Sequence, residues 1–171
     1  MPEGVDAVDV ILSQWRAARP DLDAAPMGVV GRLSRAARLL ERGLAPVFAE
    51  HGLQPGEFDI LATLRRAAGS QGMGAGALAS SAMVTSGAIT NRVDRLVAKG
   101  LVTRDLDSAN RRAVRIALTP TGRQLVDEAV VEHVANEKRL LAGLDADDQQ
   151  QLAALLKRLL SGLGDTADGP R

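Results

Sequence analysis

Apolar residues recur at steps of three and four through most of the chain and at steps of two in one short stretch, which predicts helices around a single small β-element. Val8, Ile11, Leu12 and Trp15 keep helical spacing up to Arg19-Pro20-Asp21, where the residue before proline is pushed out of the α region. After the Asp21–Pro26 break, Val30, Leu33, Ala37, Leu40, Leu44 and Val47 mark a long amphipathic helix that stops at Gly52. Pro46 lies inside it, and the lost amide hydrogen bond is expected to kink it or end it early. Pro55 opens a third helix carrying Phe58, Leu61 and Leu64. Gly72-Met73-Gly74-Ala75-Gly76 departs from the spacing of a dinucleotide loop and follows no strand, so it reads as a flexible linker before a short helix over 77–82.

Thr85-Ser86 caps the next helix, whose buried stripe is expected to be Ile89, Val93, Leu96 and Val97, with Gly100 as its stop. The period then falls to two. Val102, Arg104 and Leu106 alternate with Thr103 and Asp105, and Val114, Ile116 and Leu118 alternate with Ala113, Arg115 and Ala117, as in a β-hairpin with a polar connector at 107–112. Thr119-Pro120 supplies the cap and first turn of a long helix bearing Leu125, Val126, Ala129, Val130, His133, Val134 and Leu141. A last helix begins near Asp145 with Leu152, Leu155, Leu156, Leu159 and Leu160, and the Gly, Asp and Pro tail is expected to fray.

The fold class is therefore mostly α with a small β-hairpin wing. Helix, helix, turn, helix, hairpin is the order of a winged helix-turn-helix, flanked here by N- and C-terminal helices. The expected divisions are 1–52 for the N-terminal helices, 53–119 for the winged lobe, 120–163 for the C-terminal helices and 164–171 for a disordered tail.

Charge sharpens this picture. The 171 residues carry 21 basic and 21 acidic side chains, yet residues 85–123 hold 8 basic against 3 acidic while the segments on either side are net acidic. A basic island on a neutral chain is the footprint of a nucleic-acid surface, and it coincides with the second helix of the turn motif and the hairpin. With the apolar stripe buried, that helix presents Ser86, Thr90, Asn91 and Arg95, with Thr85 at its start, to a major groove. Arg111 and Arg112 at the hairpin tip reach toward a minor groove. The competing reading is a constitutive architectural or protein-interaction module whose basic lobe holds an acidic partner.

Other chemistry is thinly supported. With no cysteine, thiolate metal sites, disulfides and thiol sensing are excluded. His51 and His133 stand 82 residues apart without a ligand pattern, and His133 falls on an apolar stripe, so it reads as a core histidine and no metal or cofactor is expected. Asp145, Asp147 and Asp148 read as helix-start charges rather than a calcium loop. No nucleophile elbow, P-loop or paired-acid cleft suggests an enzyme. No apolar run is long enough to span a bilayer, and Glu3, Asp6 and Asp9 do not fit a secretory signal, so a cytoplasmic chain with no membrane partner is expected.

The run from Thr85-Ser86-Gly87-Ala88-Ile89-Thr90-Asn91-Arg92-Val93-Asp94-Arg95-Leu96 to Gly100-Leu101-Val102, followed by Arg104, Asp107, Asn110-Arg111-Arg112 and Val114 to Gly122, resembles the MarR family of transcription factors. The resemblance covers roughly residues 28–162 and implies a homodimer on a pseudo-palindromic operator, with the intertwined N- and C-terminal helices as its dimerisation region, regulated by a small effector. Arg92 and Arg104 join the candidate DNA contacts. The family usually has Asp at Asn110, where the acid steadies a wing arginine, so a looser wing is expected. An added N-terminal helix with Trp15-Arg16-Ala17-Ala18-Arg19-Pro20-Asp21 is similar to the urate-responsive, PecS-type branch. That similarity implies a ligand site at Trp15, Asp59 and Arg92, with Arg104 as a further matched arginine, and an effector such as urate, xanthine or a phenolic acid. Indole stacking, guanidinium pairing and carboxylate acceptance of ring N–H groups suit a flat anionic heterocycle. The same residues also admit a plainer role: Trp15 as a packing anchor, and Asp59 with Arg92 as an interhelical ion pair.

Overall fold

The computed structural model describes residues 4–69, 72–82, 89–106 and 114–165. Thr85, Ser86, Asn110, Arg111, Arg112 and the tail from 166 lie outside the described residues. The chain divides into two compact units, Met1–Gly43 and Leu44–Arg171.

In the first unit, α1 (Ala7–Ala18) is opened by a capping box: Asp6 accepts from the Val8 and Asp9 amides, and Asp9 accepts from the Asp6 amide. Helix α2 (Ala25–Glu50) passes out of this unit at Gly43. Val8, Leu12 and Ala24 form a small apolar cluster, and α2 approaches α1 at two glycines, since a Cβ on Gly28 or Gly31 would lie 3.3 Å from Leu12 or Val8. Arg32 of α2 locks the start of α1 through Asp6 at 2.8 Å and Asp9 at 2.7 Å. Pro46 does not end α2, which continues for one more turn to Glu50.

The second unit holds the main core. Helix α3 (Pro55–Ala67) contributes Phe58, Ile60, Leu61 and Leu64, and α4 (Ala75–Ser81) contributes Leu78. From α5 (Ile89–Ala98) come Ile89, Val93 and Leu96, and from α6 (Pro120–Leu140) Val126 and Ala129. Phe48 and Phe58 stack, and His133 packs tilted against both, at ring-centre separations of 4.6–5.3 Å. His133 is thus packed on aromatic rings, as its place on an apolar stripe suggests. Thr119 caps α6 by accepting from the Gly122 amide, and Asp145 caps α7 (Ala146–Gly162) by accepting from the Asp148 amide. Both caps fall where the sequence places them.

The sheet corrects one expectation. Strands β2 (Val102–Leu106) and β3 (Val114–Leu118) pair antiparallel with Arg104 opposite Ile116. The glycine-rich stretch read as a flexible linker contains a third strand, β1 (Met73–Gly74), which pairs with β3 and gives the order β1-β3-β2. Gly72 makes this possible: its φ is +70°, and a Cβ there would fall 2.6 Å from the Ile116 carbonyl oxygen. No helix among the described residues is long and apolar enough to cross a membrane.

Candidate nucleic-acid interface

Helix α5 carries the candidate site. Ile89, Val93 and Leu96 turn inward, but Val97, expected in the same stripe, is 39% exposed. It follows Leu96 by one residue and so sits about 100° further round the helix, at the edge of the buried arc. Thr90 and Asn91 are exposed, and Asp94 is exposed beside them. Strand β2 is tied to this face: Arg104 donates to Asp94 at 3.0 Å, joining wing to helix through an exposed ion pair.

The basic residues of α5 share its other flank. Arg92 and Arg95, with Lys99 just past the end of the helix, follow at steps of three and four, which aligns them along one side. That flank meets the first turn of α3. The Arg92 guanidinium packs directly on Gly56, where a Cβ would come within 2.5 Å of its Cζ and Nε. Arg92 is half-buried and forms no ion pair with a described residue, and its Nη1 is buried with no hydrogen-bond acceptor. Asp59 lies one turn beyond Gly56 on the same side of α3 and has a buried Oδ2. The two residues thus stand on facing elements, but the ion pair that the sequence offered between them is not formed.

Arg95 and Lys99 converge on Glu57. This carboxylate is 0% exposed, accepts from Arg95 Nε at 3.1 Å and from Lys99 Nζ at 2.7 Å, and closes the start of α3 by accepting from the Gln54 amide at 2.9 Å. Lys99 also donates to the Gly52 carbonyl at 2.8 Å. Burial pushes the Glu57 carboxyl up, but the Lys99 ammonium, the Gln54 amide and the Arg95 guanidinium together outweigh it and hold the carboxyl below its ordinary range. Arg95, expected to point outward, is therefore part exposed and part engaged inside the lobe.

Glu57, Lys99, Gly56 and Asp94 were not singled out by the sequence. A glutamate three residues after a helix cap reads as a capping partner, and only the fold shows that Arg95 of α5 and Lys99 just after it share it. Among the remaining candidates, Trp15 is 38% exposed in the last turn of α1, within the first unit. Among the described residues no cluster of three metal-ligating side chains occurs.

These elements define a winged helix-turn-helix DNA-binding protein. Residues 53–114 match the model of the MarR family. The chain is 40% identical over 152 residues to the HTH-type transcriptional regulator PecS of Dickeya dadantii, spanning 89% of this chain and 92% of that protein. Among solved structures it is similar to a MarR mutant from E. coli complexed with operator DNA, with TM-score 0.69 and 25% identity, over 85% of this chain and 97% of that one. CouR from Rhodococcus jostii bound to p-coumaroyl-CoA gives TM-score 0.66 and 25% identity, over 77% of this chain and 90% of that one. The chain belongs to the MarR family, in its PecS-type branch: it is a DNA-binding transcriptional regulator and not an enzyme.

Proposed function

We propose that this regulator is a homodimeric repressor that binds a pseudo-palindromic operator through α5 and the β2–β3 wing, and leaves it when a small anionic aromatic or purine-like effector such as urate, xanthine or a phenolic acid engages Arg92. Thr85, Ser86, Thr90, Asn91 and Arg95 contact base edges or phosphates, and Arg104, Arg111 and Arg112 hold the backbone and the minor groove. The observation that carries the effector reading is the Arg92 guanidinium, lodged against Gly56 in the DNA-reading helix with a buried nitrogen that has no acceptor. An anionic oxygen there would complete its hydrogen bonding, and any shift of Arg92 moves the helix that reads DNA. Asp59 accepts a ring N–H group in this reading. Trp15 belongs to the other unit, and its part rests on the resemblance to the urate-responsive branch.

Dimer formation has its own support. Helix α7 has five leucines in 17 residues and buries none of them, with Leu155 58% exposed, and the predicted stripe of α2 leaves Val30 62% exposed. Contiguous apolar faces of this kind are covered in a stable protein. CouR was solved with p-coumaroyl-CoA, and the E. coli MarR mutant with operator DNA, which makes an aromatic effector and a duplex target reasonable for this chain. The test is a gel shift on the DNA upstream of the protein's own coding region with urate, xanthine and simple phenolic acids. Release by one of them that is lost in Trp15→Phe and Asp59→Ala supports the reading, and binding indifferent to all of them leaves a constitutive architectural module.

A further inference from the structure

The geometry points to Glu57 as a positioning residue that sets DNA specificity: its buried carboxylate clamps α5 through Arg95 and Lys99, fixing how the helix enters the groove and withholding two cations from indiscriminate phosphate contact. The inference rests on α5 being the reading helix.

Arg95 stands in the last turn of α5 and Lys99 directly after its last residue, so holding both fixes the rotation and the tilt of the helix at this end. The anchor is itself rigid. Glu57 is fully buried, its Oε2 also receives the Gln54 amide, and Lys99 reaches past it to the Gly52 carbonyl, so α5 is tied to the turn before α3 as well as to α3. A charge-assisted bond to a buried carboxylate is directional, unlike the exposed Arg104–Asp94 pair on the opposite flank. Apolar contacts of Ile89, Val93 and Leu96 fix how deep α5 sits, but such packing tolerates small rotations that the two ion pairs forbid.

The carboxylate also sets the charge that DNA meets. Arg95 and Lys99 remain 45% and 37% exposed at their side chains, so phosphates compete with Glu57 for them. On random DNA, where little else is gained, Glu57 keeps them. On the operator, base contacts from the correctly set Thr90 and Asn91 add what random DNA lacks.

Glu57→Gln, which keeps the shape and removes the charge, is compared with wild type on two duplexes: one selected from a random pool by the wild-type protein, and a scrambled duplex of equal length. Affinity for the selected duplex should fall about tenfold or more while affinity for the scrambled one holds or rises. The salt dependence on the scrambled duplex should steepen by about one to two in log–log slope, because each freed cation releases about 0.9 counterion. Lys99→Met, which leaves Glu57 only Arg95, should lower the selected-to-scrambled ratio without steepening the slope, and it keeps the test open where Glu57→Gln does not fold. Equal losses on both duplexes with an unchanged slope would show a merely structural role and overturn the proposal, as would an unchanged ratio in Lys99→Met. Asn91→Ala separates the two layers: an unchanged ratio in that variant removes α5 as the reading helix, whereas a lowered ratio there with a wild-type ratio in Glu57→Gln removes the clamp alone.

Discussion

The guanidinium of Arg92 occupies the space that a side chain on Gly56 would need. The first turn of α3 therefore meets α5 at a residue without a Cβ, and the next residue along, Glu57, takes the next two cations of the same flank. One turn of one helix addresses Arg92 by contact and Arg95 and Lys99 by charge. Under the proposed function, this turn is where DNA reading and effector response meet.

Gly56→Ala tests the contact. Alanine favours a helix by up to about 1 kcal/mol over glycine, so the fold should survive while Arg92 is displaced. The concentration of urate that releases half the DNA should rise about tenfold, equivalent to about 1.4 kcal/mol of effector binding. A wild-type half-release concentration would detach the Arg92 seat from the effector.

Gly122 tests the core. A Cβ at this position would run into the Leu101 carbonyl, where the β2 entry crosses the first turn of α6, and backbone cannot swing aside as a side chain can. Gly122→Ala should lower unfolding stability by about 1–3 kcal/mol in a urea titration. No loss would mean that the α6 cap can shift freely.

Base reading and backbone holding should separate by substitution. Asn91→Ala should weaken binding to the selected duplex by about 1–3 kcal/mol and relax the preference at one base position. Arg104→Ala removes an exposed pair with Asp94 worth at most about 1 kcal/mol to folding. It should reduce affinity evenly across sequences and the salt slope by about 1. Sequence-dependent losses for Arg104→Ala would reverse these roles.

Glu57 gives a pH signature. Its carboxyl is held below the ordinary value, so more protons are bound in the unfolded chain than in the folded one as pH falls past that value. The stabilisation is complete above the unfolded pKa of about 4.3 and is lost as pH drops through the lower folded one. Chemical denaturation between pH 6 and 3 should show a fall in stability that Glu57→Gln lacks in part. Parallel curves for the two proteins would contradict the depressed value.

Leu155→Asp combined with Leu160→Asp tests assembly. Neither leucine is buried within the described chain, so the substitution should not unfold the lobe, but sedimentation should show a monomer that no longer grips the selected duplex. A dimer that persists would move the interface off α7.

The sequence carries much of this architecture because caps and periods are local. Thr119 and Asp145 start helices and Gly100 ends one with φ +69°, all from chemistry within a turn. Strand β1 was hidden because two residues, one of them glycine, hold no alternation; its pairing depends on Ile116, more than 40 positions away. Exposure of Val97 and burial of Glu57 were hidden for a related reason: residue type sets the average environment, and the neighbouring element sets the actual one. The basic island was legible as charge. That its members Arg92, Arg95 and Lys99 share a flank turned toward α3 follows only from how α5 docks.

The most direct test of the central claim, that one helix both reads DNA and receives the effector, is a titration of the selected duplex with and without urate for wild type and Arg92→Ala. The account predicts that urate raises the wild-type Kd at least about tenfold, whereas Arg92→Ala still prefers the selected duplex and does not respond. An Arg92→Ala protein that urate releases as readily as wild type would contradict it.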